Sequence, residues 1–283
     1  MAERRRTSEA RGFAAFGISM QLEILREPGR GAPRALDVLL VHGSYCAAWV
    51  WQPHVMPFLA ERGYTVHALS FRGHGGSGLD GPLSNVSVAD YVADLAAAVD
   101  RIGRPVAVVA HSLGGAVVQS ALSSGARFAG VALLASIPPT GMLVPSQTMF
   151  WRRPRLWSEL SRIMYSGVAD ADPEILRDGL FDNRISAEAF ARLSRRFSNE
   201  SARAILDVMG PYALGTMGLR DCPVLVLGGG RDWFISEWDI RQTAAWYGTP
   251  AVILPELSHA IMLDPSWQDA AIAVSDWLDG LTP

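Results

Sequence analysis

The chain is predicted to have an α/β architecture: a mostly parallel central sheet with helices on both faces, interrupted by a helical insertion. Three observations carry this expectation. Short, almost wholly apolar runs recur along the 283 residues, as strands covered on both faces require. Amphipathic stretches with helix-start signals alternate with them, which is the pattern of strand–helix–strand units. One long stretch, 138–219, breaks the alternation with helical patches and no convincing strand.

The elements follow in order. Ile18–Leu25 alternates and reads as the first strand. Leu36–Val41, Tyr64–Leu69, Val106–Ala110, Val131–Ala135, Val224–Leu227 and Ala251–Leu254 are the buried strands. Ser87 and Asp90 form a capping-box-like start, after which Tyr91, Leu95, Val99 and Ile102 share one helical face. Asp264-Pro265 is a second start, leading to the apolar face Ala270, Val274 and Trp277/Leu278. The insertion opens at Pro138-Pro139 and has helical patches at Pro173–Leu180, Ala187–Phe197 and Ala202–Met209. It also carries large apolar groups such as Met149, Trp157, Met164 and Phe181. These serve either the insertion's own core or a lid over a site at the strand ends, where open α/β sheets bind ligands. The expected division is a flexible N-terminal arm at 1–17, a core of 18–137 with 220–283, and a cap at 138–219.

Bulk properties narrow the function. A net charge of −3 gives no field for nucleic acid or an anionic membrane surface. All 25 basic residues are arginine, which removes every mechanism needing a catalytic lysine. Cys46 and Cys222 lack zinc-type spacing and read as free thiols, the alternative being a disulfide. No apolar run approaches the ~18 residues of a membrane span. The Arg-rich N-terminus has no apolar segment behind it, so it does not read as a secretory signal, and a cytoplasmic location is expected.

The most informative stretch is Val106-Ala-Val-Val-Ala-His-Ser-Leu-Gly-Gly115. A buried strand runs into Ser112 and a helix opens behind it, so the serine is held on a sharp, strained turn at the helix's positive end. Ala110 and Gly114 are small, as the close passage of strand and helix demands. The bland reading of Ser112 is a helix N-cap with packing glycines. A serine nucleophile needs a base, and His259 follows a strand in the short loop Glu256-Leu-Ser-His. His111 adjoins the serine and points elsewhere in the turn. His42 reads as a loop organiser, and His54, His67 and His74 read as solvated or core residues. Asp232, after Gly228-Gly-Gly-Arg, is placed to orient the base, although a turn cap is its plain alternative. The order Ser112, Asp232, His259 is that of one known triad arrangement. Backbone N–H groups of Ser44 and Leu113 are the expected oxyanion donors. Tyr45, His111 and Trp233 are candidate substrate contacts, although packing of the loop after the acid is the better reading of Trp233.

These residues resemble the α/β-hydrolase family from Leu36 to Leu278. The likeness rests on His42-Gly43, Phe71-Arg-Gly-His-Gly-Gly-Ser77, the serine turn, and the contexts of Asp232 and His259. It implies the α/β-hydrolase fold, a cap domain at the insertion and no cofactor. The run from His42 to Trp51 is similar to the branch holding plant methylesterases and hydroxynitrile lyases. Three departures matter. Ala110 replaces the first glycine of G-x-S-x-G, and Ser70 stands where many members have Asp. A serine in place of an aspartate nucleophile argues against haloalkane dehalogenase and epoxide hydrolase chemistry. The expected function is carboxylesterase- or lipase-like cleavage of a small, largely apolar ester, by a monomer or homodimer and without metal. A thioesterase, cyclase or lyase using the same residues is the second reading, and a non-catalytic ligand receptor the third.

Overall fold

A computed structural model describes residues 21–218 and 221–281. The expected arm and the start of the first expected strand lie outside the described residues. Seven strands form one sheet: β1 (Ile24–Glu27), β2 (Asp37–Val41), β3 (Val66–Leu69), β4 (Val106–His111), β5 (Gly130–Leu134), β6 (Val224–Gly229) and β7 (Ala251–Leu254). Their spatial order is β1-β3-β2-β4-β5-β6-β7, and every pairing is parallel except β1 with β3. The register sets Val41 beside Leu69 and Ala110, and His111 beside Leu134. The segments that leave β2, β4 and β5 therefore emerge side by side at one sheet edge.

Alternation along the buried strands separates two cores. Leu39, Val41, Val108, Ala110, Leu133 and Val226 face α2 (Val88–Ile102), α3 (Leu113–Ser123) and α9 (Glu237–Tyr247). Val38, Leu40, Ala107, Val109, Ala132 and Leu134 face α1 (Val55–Glu61) and α10 (Trp267–Asp279). The capping box of Ser87 and Asp90 is present at α2. The second helix start is displaced: α10 begins after Ser266, and Asp264 is fully buried. It accepts hydrogen bonds from the Ser258 N–H and hydroxyl and from the Ser266 N–H, and pairs with Arg184. A carboxylate read as a cap thus organises the loop before the last helix.

Ser70 also has a physical account. Its hydroxyl donates to Glu23 Oε2 at 2.5 Å and accepts the Ala48 N–H at 3.0 Å. The Glu23 carboxylate, just ahead of β1, therefore ties down the loop after β3. Both cysteines are free thiols; Cys222 is buried and Cys46 half-buried.

Between β5 and β6 lie α4 (Leu143–Arg152), α5 (Pro154–Ser166), α6 (Pro173–Phe181), α7 (Ala187–Ser194) and α8 (Ala202–Asp207). The first two escape the periodicity argument. On α4, Leu143, Val144 and Trp151 are exposed beside Gln147 and Arg152 while Met149 is buried, so apolar residues lie on both sides of the helix and blur its periodicity. On α5 the buried stripe contains Glu159, satisfied by Arg162 and the Asp172 N–H. Ile163, Leu176, Phe181 and Phe190 form a small core of these helices that also takes in Ala260. No described helix is long and apolar enough to cross a membrane.

At Gly114, in the first turn of α3, a Cβ would stand 2.9 Å from the Val41 carbonyl oxygen and closer still to that of His42. Both obstacles are backbone and cannot swing aside. Gly114→Ala is expected to destabilise the fold by about 1–3 kcal/mol, read as a lowered urea midpoint with an unchanged m-value.

Candidate active site

The turn between β4 and α3 places Ser112 at φ 50°, ψ −118°. This strained region is costly for a non-glycine residue and recurs at functional turns. The Ser112 side chain makes no cap hydrogen bond to the helix, so the N-cap reading does not describe it. Its Oγ instead lies 3.2 Å from His259 Nε2, and His259 Nδ1 lies 2.8 Å from Asp232 Oδ2. Asp232 and His259 are buried and Ser112 is half-buried, and the separations in sequence, 147 and 27 residues, are closed by the parallel sheet.

Each partner is held from behind. Asp232 Oδ1 accepts the N–H groups of Phe234 at 2.7 Å and Ile235 at 3.0 Å, so the carboxylate also serves as the turn cap that was its plain alternative. The turn swings the Phe234 ring onto the His259 imidazole, with centroids 4.4 Å apart. The loop carrying His259 is fixed by Asp264, by the Ala260 N–H donating to the Leu180 carbonyl, and by His111. His111 Nε2 donates to the His259 carbonyl at 2.9 Å. Burial, and next the neighbouring His259, hold the His111 pKa well below the usual histidine value. His111 stays neutral and supports the His259 loop through its backbone carbonyl.

The loop after β2 approaches from the other side. A Cβ on Gly43 would stand 2.8 Å from His111 Nδ1 and 2.9 Å from Ser112 Cβ, so only glycine fits against the turn. His42 acts as the loop organiser expected of it. Its Nε2 accepts the Phe71 N–H at 3.1 Å, which leaves the proton on Nδ1 to donate to the Gly43 carbonyl at 2.8 Å. Burial, followed by the nearby His74, lowers the His42 pKa to about 3, so this tautomer persists. In a trans peptide the C=O and the following N–H point opposite ways. Anchoring the Gly43 carbonyl on His42 therefore directs the Ser44 N–H away from it. Ser44 and Leu113 both line the cavity in front of Ser112, and neither N–H donates to another described residue.

That cavity measures about 370 Å³. Tyr45, Cys46, His111, Ser112 and His259 form its floor, and Met142, Met149, Met164, Met209, Leu176 and Phe181 its upper walls. Among the described residues no Asp, Glu or Arg lines it. Tyr45 and His111 therefore stand where substrate contacts were expected, and Trp233 does not. Trp233 lies outside the cavity, its Nε1 donating to Asp182 at 3.0 Å and its ring stacked under Arg153. The Asp232 turn sends consecutive residues to opposite sides, so Phe234 faces inward and Trp233 ties the insertion to the core. Phe234 and Asp264 escaped the sequence reading. An aspartate followed at i+2 by an aromatic residue could have signalled the first; nothing local signals the second. His67 and His74 are core residues that also meet carboxylates, Asp37 at 2.9 Å and Glu200 at 3.5 Å respectively. Among the described residues no group of three or more His, Cys, Asp or Glu is placed to hold a metal ion.

A family model described as alpha/beta hydrolase family matches residues 38–271. Epoxide hydrolase A of Mycobacterium tuberculosis is 36% identical over 155 residues, which is 52% of this chain and 47% of that protein. The match thus spans about half the length of this relative. An esterase from Thermogutta terrifontis superposes with a TM-score of 0.72 at 20% identity, covering 93% of this chain and 95% of that one. A bromoperoxidase from Bacillus anthracis gives 0.73 at 17% identity, covering 92% and 96%. Epoxide Hydrolase A from Mycobacterium thermoresistibile gives 0.67 at 24% identity, covering 93% and 96%. These structural likenesses are likenesses of fold.

Proposed function

The chain belongs to the alpha/beta hydrolase family, and within it we propose a serine hydrolase that cleaves a small, apolar, uncharged ester through an acyl-enzyme. The observation that carries this reading is the relay of contacts at Ser112: hydroxyl to imidazole at 3.2 Å and imidazole to carboxylate at 2.8 Å, opening on an apolar cavity.

Ser112 Oγ attacks the ester carbonyl while His259 Nε2 takes its proton, a contribution of roughly 10²–10⁴ in rate. Asp232 keeps the other ring proton on Nδ1 and stabilises the imidazolium that forms. The Ser44 and Leu113 N–H groups receive the oxyanion, each contributing about 3–4 kcal/mol to the transition state. Collapse breaks the bond to the alkoxide, which leaves with the proton from His259. A water molecule then attacks the acyl carbonyl with His259 again as base, and the acid departs as Ser112 regains its proton. The insertion 138–219 serves as the cap, its methionines adapting to the apolar portion of the substrate.

Serine also argues against epoxide opening despite the relatives named above. Attack by a serine oxygen would leave an alkyl ether, which an activated water cannot cleave as it cleaves an ester. The test is a panel of p-nitrophenyl esters with fluorophosphonate labelling and peptide mapping. Labelling at Ser112, lost in His259→Ala, is expected. Neutral acyl groups should exceed carboxylate-bearing ones of equal length by about 100-fold or more in kcat/KM, because a carboxylate seated here would be buried without a partner. Absence of Ser112-dependent turnover across the panel would overturn the reading.

A further inference from the structure

One buried charged pair takes no part in the proposed chemistry. Glu200 lies in the insertion between α7 and α8, and its Oε1 accepts the Tyr91 hydroxyl at 2.6 Å and the Ser201 N–H at 2.7 Å. Its Oε2 faces His74 Nε2 at 3.5 Å, and both side chains are almost completely shielded from water. His74 Nδ1 donates to the Arg72 carbonyl at 3.0 Å, and the buried Nε2, which makes no close hydrogen bond, has the Glu200 carboxylate within ion-pair range. Burial opposes this charge, but the Glu200 carboxylate outweighs it and raises the His74 pKa; Glu200 in turn is held low against its own burial by His74.

The pair leads directly to the loop beside Ser112. The His74 ring packs 5.4 Å from that of His42, the residue that anchors the Gly43 carbonyl. Two residues before Glu200, the Ser198 N–H donates to the Tyr45 carbonyl at 3.0 Å. Tyr45 sits at φ 61°, a region that favours glycine, so the loop is held there by contacts from outside it. The segment 198–200 thus bears on the Gly43–Ser44 peptide unit through His74 and His42, and on the Tyr45–Cys46 unit through Ser198. The carboxylate is also felt in the loop itself: after burial, it is the second cause pushing the Cys46 thiol up to about 12. A seat for the insertion alone would be met as well by apolar contacts, which carry no desolvation cost.

We propose that Glu200 is a positioning residue for the oxyanion loop. Through His74 and His42 it fixes the Gly43 carbonyl, and through its neighbour Ser198 the Tyr45 carbonyl, so that the Ser44 N–H stays turned toward Ser112. This rests on the reading of Ser44 as an oxyanion donor, and it makes the insertion a part of the catalytic apparatus as well as a cover.

Glu200→Gln keeps the shape and removes the charge. It is expected to lower kcat by about 10–100-fold, below the effect of deleting a donor outright, with KM changed less than about threefold. Amide hydrogen exchange of residues 43–49 should quicken in the same variant. Ser201→Ala is the control: it removes the α8 cap and the bond to the Val86 carbonyl while leaving Glu200, its backbone donor and Ser198 in place. It should lower Tm while leaving kcat unchanged. The inference is overturned if exchange at 43–49 is unaltered in Glu200→Gln, or if Ser201→Ala lowers kcat as far as Glu200→Gln does. Should Glu200→Gln fail to fold, Tyr91→Phe removes one donor to the carboxylate; faster loop exchange and a several-fold loss of kcat support the inference, and wild-type values for both overturn it. Exchange needs no substrate, so a wild-type protein without esterase activity would sink the function reading and still leave this measurement to decide.

Discussion

Ser112→Ala is expected to lower kcat for a neutral p-nitrophenyl ester by roughly 10⁶-fold, the scale seen when the nucleophile of a cooperating set is removed. The size follows from the geometry. Without Oγ there is no acyl-enzyme, and His259 retains only water to activate. The cavity and both backbone donors remain, so substrate binding should be nearly intact and residual turnover should stay above the uncatalysed rate. Stability should change little, because the Ser112 side chain caps nothing and bonds only toward His259. Active-site titration with a fluorophosphonate would show no stoichiometric labelling. A variant retaining a tenth of wild-type turnover would remove Ser112 from the mechanism.

Asp232→Asn should cost about 10⁴-fold in kcat. Asp232 uses its two oxygens differently: Oδ1 accepts the Phe234 and Ile235 amides, and Oδ2 faces His259 Nδ1. Asparagine can keep its oxygen on the two amides, which preserves the turn. Its NH₂ then confronts Nδ1, and the imidazole must move its proton to Nε2, where it no longer accepts from Ser112. The loss therefore arises from the tautomer and from the missing charge opposite the imidazolium. Far-ultraviolet circular dichroism and the urea midpoint should stay close to wild type while kcat collapses. A large loss of stability with little loss of kcat per folded molecule would mean that Asp232 acts only as the turn cap.

Much of this arrangement was legible in the linear sequence, for reasons that differ between residues. Strands β2 to β7 could be read because each is nearly all apolar, as parallel strands covered on two faces require, Asp37 and His67 being exceptions that pair with each other. The turn at Ser112 was legible because its demands are local: a strand, a small residue on either side, and a helix start. Asp232 and His259 were legible from the same kind of context, a sharp loop after a strand. Helices α4 and α5 were not, since one has an exposed apolar face and the other a buried glutamate in its stripe. Which of its two expected roles Trp233 takes was not legible, because an aspartate turn sends neighbouring side chains to opposite sides and the sequence carries no sign of which side faces the cavity.

The linear order of residues by itself determined the layered α/β class, the capped helix α2, the strained serine turn and the strand-end contexts of Ser112, Asp232 and His259. All of these are set by interactions within a few residues of one another. Only the tertiary structure decided that no charged side chain among the described residues lines the cavity, that Asp264 and His111 brace the His259 loop, and that Glu200 lies against the loop after β2 through His74. Such contacts join segments far apart in the chain, and they depend on which strand lies beside which and on how the insertion folds back. No local periodicity or motif encodes them, because the free energy that holds them arises only once the two segments are packed together and water has been excluded from between them.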